Sequence, residues 1–163
     1  MCLRILKEGL FTSLQGTGTY GLQRFGINPR GAMDRNALRI LNALLQNGDA
    51  DLALELHFPA GEIEFEEPCI FAIGGADFDA ELSRRPLEPW RAYEAAPGDV
   101  LRFPRRVGGA ICYLSVRSGL AEKSRPEDRT AFERFATRRL RKGDTIHSDL
   151  RTPASFAIPP GKV

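Results

Sequence analysis

No apolar run in this chain of 163 residues approaches the roughly 18 residues that a membrane-crossing helix needs. The first nine residues, Met-Cys-Leu-Arg-Ile-Leu-Lys-Glu-Gly, lack an extended apolar region and a small-residue cleavage site, so no secretory leader is expected. Cysteine is scarce: three residues, an odd number, with no metal or redox spacing. Cys69 and Cys112 each sit inside an apolar run and read as buried thiols, which suits a reducing cytoplasm. The two histidines, His57 and His147, share no spacing with other ligand types, so no metal site is expected. A net charge of +2 and a pI near 8.6 are too mild to point to nucleic acid. No nucleophile elbow or Cys-His-Asp pattern stands out. The runs Gln15-Gly16-Thr17-Gly18-Thr19 and Gly74-Gly75-Ala76-Asp77 invite comparison with phosphate cradles. The first lacks the Lys-Ser/Thr and following helix of a nucleotide loop, and both are expected to form turns.

What remains is ordinary for a globular domain, with 42% hydrophobic and 27% charged residues. The length suits one domain that buries about two-thirds of its unfolded surface. The densest feature is Gly21 to Asp34, which holds three glycines, a proline, two arginines and a carboxylate. Residues 12–32 read as a long loop, and long loops are often functional. One helix is predicted from about Arg35 to Gln46, with Asp34 as its N-cap. Ala37, Leu38, Leu41, Leu44 and Leu45 share a face at helical spacing, and Gly48 is placed to end the helix.

Strands are predicted at Leu3–Leu6, Leu52–Phe58, Glu62–Phe65, Cys69–Ile73, Phe78–Leu82, Trp90–Glu94, Val100–Phe103 and Ile111–Val116. Many short, closely spaced strands favour an antiparallel barrel or sandwich. Pro97-Gly98-Asp99-Val100-Leu101 and Lys142-Gly143-Asp144-Thr145-Ile146 read as the same tight turn feeding a strand, recurring turn chemistry rather than a repeat. Residues 1–150 form the expected domain. Residues 151–163 read as a proline-rich tail or the start of a second half.

Asp34 has two compatible roles, capping the helix and facing a pocket. Glu55 lies inside the apolar Ala53-Leu54-Glu55-Leu56, where a buried carboxylate costs several kcal/mol without a partner. It therefore either faces solvent or is held by a cation such as Arg24, Arg30 or Arg35. Asp77 follows two glycines at a strand end, where it either braces a turn or meets a ligand. Trp90 reads as a core or rim packing residue. The basic residues Lys123, Arg125, Arg129, Arg134, Arg138, Arg139, Arg141 and Lys142 read as a solvated face or a contact between subunits, with an anion site as the alternative.

Several segments resemble, in order, the KipA-like proteins of the biotin-dependent carboxyltransferase family, also known as allophanate hydrolase subunit 2 or the C subunit of 5-oxoprolinase. They are Lys7-Glu8-Gly9-Leu10-Phe11-Thr12-Ser13-Leu14-Gln15, Gly31-Ala32-Met33-Asp34-Arg35-Asn36-Ala37-Leu38-Arg39, Ala53-Leu54-Glu55-Leu56, Gly74-Gly75-Ala76-Asp77, Pro97-Gly98-Asp99-Val100-Leu101, Ala110-Ile111-Cys112-Tyr113-Leu114-Ser115-Val116 and Arg141-Lys142-Gly143-Asp144. The Gly-Ala-Met-Asp run with its helix is the most specific. The matches cover the N-terminal half of the family.

The resemblance implies a mainly β, cyclophilin-like antiparallel barrel. It implies a subunit or half-subunit of an amide-processing hydrolase or carboxyltransferase assembly, of the 5-oxoprolinase or urea amidolyase type. A KipI-like subunit would be the partner, and a second copy of the chain is a further candidate. The expected substrate is a small amide or carboxylate. Asp34, Glu55 and Asp77 are the catalytic candidates; Gln15, Arg24 and Arg30 are the substrate-binding candidates. Arg24 would orient a substrate carboxylate through paired hydrogen bonds. ATP and biotin belong to the assembly and are assigned to no residue of this chain.

Three departures from the family pattern suggest an alternative, a binding or regulatory module that keeps the barrel without the chemistry. An acid and a base usual after the first strand are replaced at Gly16 and Thr19. Arg30 stands where serine is common. A Gly-Ser-Arg-Ser-Thr stretch survives only as Lys123-Ser124-Arg125-Pro126.

Overall fold

The computed structural model describes residues 2–18, 20–21, 23–26, 28–121 and 139–148. Most of the basic segment, residues 122–138, and the tail lie outside the described residues. The strands in chain order are β1 Cys2–Lys7, β2 Phe11–Gln15, β3 Ala53–His57, β4 Glu62–Phe65, β5 Cys69–Asp77, β6 Glu81–Leu82, β7 Arg85–Pro86, β8 Arg91–Ala95, β9 Val100–Arg102, β10 Gly108–Val116, β11 Leu120–Ala121 and β12 Thr145–Ser148. The helix α1 is Arg35–Leu44. The strands form two antiparallel sheets rather than one closed ring of hydrogen bonds. One has the order β11-β12-β1-β4-β9-β6-β7 and the other β2-β3-β10-β5-β8.

Alternation along the strands explains the layering, because neighbouring side chains point to opposite faces. Leu54, Leu56, Phe71, Ile73, Leu114 and Val116 of the five-stranded sheet share one core with Leu3, Ile5, Ile63, Phe65 and Leu101 of the other. The residues between them, Ala53, Ala72 and Tyr113, point the other way and pack with Ala37, Leu38, Leu41 and Leu45 of α1. The five-stranded sheet is thus covered on both faces, and β3 is buried from Ala53 to Leu56.

The helix starts where the sequence predicts. Asp34 Oδ1 accepts from the N–H groups of Asn36 and Ala37, both at 3.0 Å. Its left-handed stop comes two residues before the glycine expected to supply it. Gln46 takes the left-handed conformation, φ +59, and its N–H donates to Ala43 O. The Asn47 N–H donates to Asn42 O at 2.8 Å, completing a Schellman-type end. A glutamine there carries a Cβ penalty that glycine avoids. Gln46→Gly is therefore expected to raise stability by about 0.5–1 kcal/mol, read as a higher urea midpoint with an unchanged slope.

Three further expectations change. Phe11–Gln15 is a strand, not loop, because it pairs with β3 along its whole length. Gly74 and Gly75 lie within β5, not at a turn, and the strand runs on to Asp77. Of the expected strand Phe78–Leu82, only Glu81–Leu82 pairs. The two similar turns are alike beyond their sequences. Gly98 and Gly143 have φ +85 and +88. Asp99 and Asp144 donate their N–H groups to Ala96 O and Arg141 O, and their Oδ2 atoms accept the N–H groups of Ala96 and Arg141. Both turns dock on a strand in the same way, through Gly98 N–H to Phe65 O and Gly143 N–H to Ile5 O, each at 2.8 Å.

Candidate functional site

Four residues form a row across the helix-covered face of the five-stranded sheet. Ser13 stands opposite Glu55, Glu55 opposite Tyr113, and Tyr113 opposite Gly74. The N-terminus of α1 sits over this row. The Glu55 side chain neither faces solvent nor meets an arginine. It is 5% exposed, and Oε2 accepts from the Tyr113 hydroxyl at 2.7 Å and the Met33 N–H at 2.8 Å. His57 Nε2 lies 3.4 Å from Oε1. The Tyr113 oxygen in turn accepts the Asp34 N–H at 2.8 Å. Two consecutive amides of the loop that ends in the N-cap are therefore tied to one buried acid, one directly and one through a hydroxyl. The two short hydrogen bonds to this buried carboxylate, both to Oε2, come from donors with no formal charge. Burial pushes the Tyr113 hydroxyl pKa well above the ordinary tyrosine range, so it stays protonated and donates to Glu55.

A cleft of about 540 Å³ opens beside this network. Asp34, Asp77 and Trp90 line it together with Gly75, Ala76 and residues 108–111. A register shift in β10 between Gly108 and Cys112 shapes that wall, and Val107 N–H donates to Asp77 O at 2.9 Å. Asp77 Oδ1 accepts the Asp79 N–H at 2.9 Å, so it braces a turn and lines the cleft at once. Its Oδ2, like Oδ2 of Asp34, takes no hydrogen bond among the described residues.

Of the six candidates, Asp34 and Asp77 line the cleft, while Glu55 is outside its lining and holds the Met33 N–H next to Asp34. The other three stand apart from its lining. Gln15 is buried and donates to Ser13 Oγ at 3.0 Å. Arg24 is exposed, its guanidinium 4.7 Å from the centre of the Phe25 ring. Arg30 is exposed, and its carbonyl rests against Gly18. No Lys or Arg is among the described residues lining the cleft. No group of three potential metal ligands occurs among the described residues. Burial pushes the thiols of Cys69 and Cys112 up to about 12, as befits structural thiols and not nucleophiles. No helix of the described residues is long and apolar enough to cross a membrane.

Tyr113 and Trp90 carry the site, although nothing local in the sequence marks them for it. A longer-range signal for Tyr113 exists. A tyrosine in a buried strand needs a hydrogen-bond partner, as does a glutamate in another, and each can answer the other's need.

Similarity to known proteins runs along most of the chain. It is 34% identical to the C subunit of 5-oxoprolinase from Haemophilus influenzae over 107 residues, covering 66% of this chain and 35% of that protein. It is 35% identical to the Escherichia coli protein of the same name over 119 residues, covering 72% of this chain and 38% of that one. The fold recurs in the crystal structure of TTHA0988, with a TM-score of 0.83 at 24% identity, over 97% of this chain and 33% of that one. It recurs also in K. lactis urea amidolyase, with a TM-score of 0.80 at 25% identity, over 97% of this chain and 10% of that one. The chain thus spans little more than a third of these two curated relatives. Residues 25–158 match the model for the carboxyltransferase domain, subdomain A and B, and the chain belongs to that family.

Proposed function

We propose that this chain is one part of an amide-processing assembly of the 5-oxoprolinase or urea amidolyase type, working in the cytoplasm beside a KipI-like subunit. One observation carries the proposal: Asp34 and Asp77, 43 positions apart, line a single cleft with Trp90. A carboxylate oxygen accepts hydrogen bonds, and the N–H groups of an amide or ureide are donors that match it. Asp34 and Asp77 would orient such a group, and each keeps an Oδ2, unbonded among the described residues, that could take a proton from an attacking water. Glu55 holds the loop and does not meet the substrate.

A second reading, a binding or regulatory module without turnover, gains support from the absence of a cation among the described lining residues. Arg24 and Arg30, expected to seat a substrate carboxylate, stand elsewhere.

Co-expression with the KipI-like subunit, followed by assays of ATP-dependent 5-oxoproline cleavage and urea-dependent ATP hydrolysis, separates the two. Asp34→Asn and Asp77→Asn preserve shape, and asparagine caps a helix as well as aspartate does. Each is expected to lower turnover by about 100-fold or more while leaving the melting temperature nearly unchanged. Tight partner binding with no turnover in the unmodified chain selects the module. Neither binding nor turnover overturns both readings.

A further inference from the structure

We propose that Trp90 is the platform of the Asp34–Asp77 cleft and takes the face of a flat, uncharged amide or ureide ring. This rests on the amide-binding reading above and adds the residue that grips the ring. The Trp90 backbone has φ +66, an outlier for a bulky residue, and its N–H donates to Ile73 O at 2.7 Å. Such a conformation persists only where its surroundings enforce it. The indole rests on Gly74, where an added Cβ would come within 2.7 Å of ring atoms Cε3 and Cζ3. A glycine inside a strand weakens it, and its use here is to seat a ring. Yet the indole so seated is 41% exposed and lines the cleft shared by the two carboxylates.

These groups complement one another. An aromatic face suits a flat ring, and carboxylates at the same cleft suit that ring's in-plane N–H groups. Two acids with no cation among the described lining residues disfavour a ring that carries its own carboxylate. On this chain alone, uncharged rings therefore bind better than anionic ones.

Trp90 is the single tryptophan of the sequence, so intrinsic fluorescence reports on this cleft directly. The full chain is titrated with 2-pyrrolidinone, 2-imidazolidinone and 5-oxoproline at millimolar concentrations, where so small a ligand binds. Both neutral rings are expected to produce a saturable change in emission, and 5-oxoproline to bind more weakly. Trp90→Ala and Gly74→Ala, the latter lifting the indole from its seat, are expected to weaken binding about tenfold, measured by ligand-observed NMR. If Gly74→Ala does not fold, Trp90→Ala decides. Binding that Asp77→Asn weakens but Trp90→Ala does not overturns the platform and leaves the amide reading in place. Tighter binding of 5-oxoproline than of 2-pyrrolidinone overturns the uncharged-ring assignment. No binding by any of the three overturns the platform and removes the cleft from the amide reading.

Discussion

Tyr113→Phe is expected to destabilise the fold by about 2–4 kcal/mol, far more than the loss of one oxygen atom suggests. The phenylalanine fills the same space among Ala53, Ala72 and Leu41, so no cavity forms. What is lost is the middle of a chain of hydrogen bonds. The Asp34 N–H loses its acceptor, and the Glu55 carboxylate loses its closest donor. Leaving a buried carboxylate short of donors is the larger of the two costs. Urea unfolding of Tyr113→Phe, Glu55→Gln and the double variant measures the coupling, expected at about 1–3 kcal/mol. A loss of less than about 0.5 kcal/mol in Tyr113→Phe would mean that water replaces the hydroxyl and that the network does not hold the loop. Native-state hydrogen exchange adds a local readout: the Met33 and Asp34 amides are expected to lose protection while Leu114, within β10, keeps its own.

Much of this architecture is legible in the sequence because its signals are local. The Asp34 cap depends on atoms two and three residues away, and an acid before an apolar helical stripe announces it. The turns at Pro97-Gly98-Asp99 and Lys142-Gly143-Asp144 are similarly self-contained. What stays hidden depends on strand pairing. The partner of Glu55 lies 58 positions away, and only the register of β3 against β10 puts Tyr113 opposite it. A buried acid suggests an arginine or lysine partner, whereas here a hydroxyl, a backbone amide and the His57 ring surround it. Gly74 and Gly75 carry the composition of a turn, and their place inside β5 follows from neighbours that the sequence does not reveal. Gly74 lies under the Trp90 ring, and Gly75 has φ +85 beside Ile111 O. The helix stop escapes the sequence for a plainer reason, since a left-handed glutamine is rarer than a left-handed glycine two residues later. The family resemblance correctly indicates a mainly β fold, yet leaves open which acids share a cleft.

Gly31→Ala is expected to be strongly damaging, at more than about 3 kcal/mol. Two independent costs meet at this position. Its φ of +115 belongs to a region that alanine rarely adopts. An alanine Cβ would also lie 2.5 Å from the nitrogen of Gly18 and 2.7 Å from the oxygen of Gly16. Those are backbone atoms, so no side chain can swing aside. The crossing is further tied by the Ala32 N–H, which donates to Gly16 O at 2.8 Å. Moving it would shift Met33 and Asp34 and so disturb the cleft. Gly26 provides the control. Its φ is +76, but an added Cβ there meets nothing within 4 Å. Gly26→Ala therefore carries the conformational cost without the collision and is expected to lose only about 1 kcal/mol. Denaturant unfolding of the two variants separates backbone preference from close approach. Equal losses would mean that the crossing yields easily and that the loop needs glycine only for its turns. A much larger loss in Gly31→Ala would identify residues 16–18 as the surface on which the Asp34 loop is built.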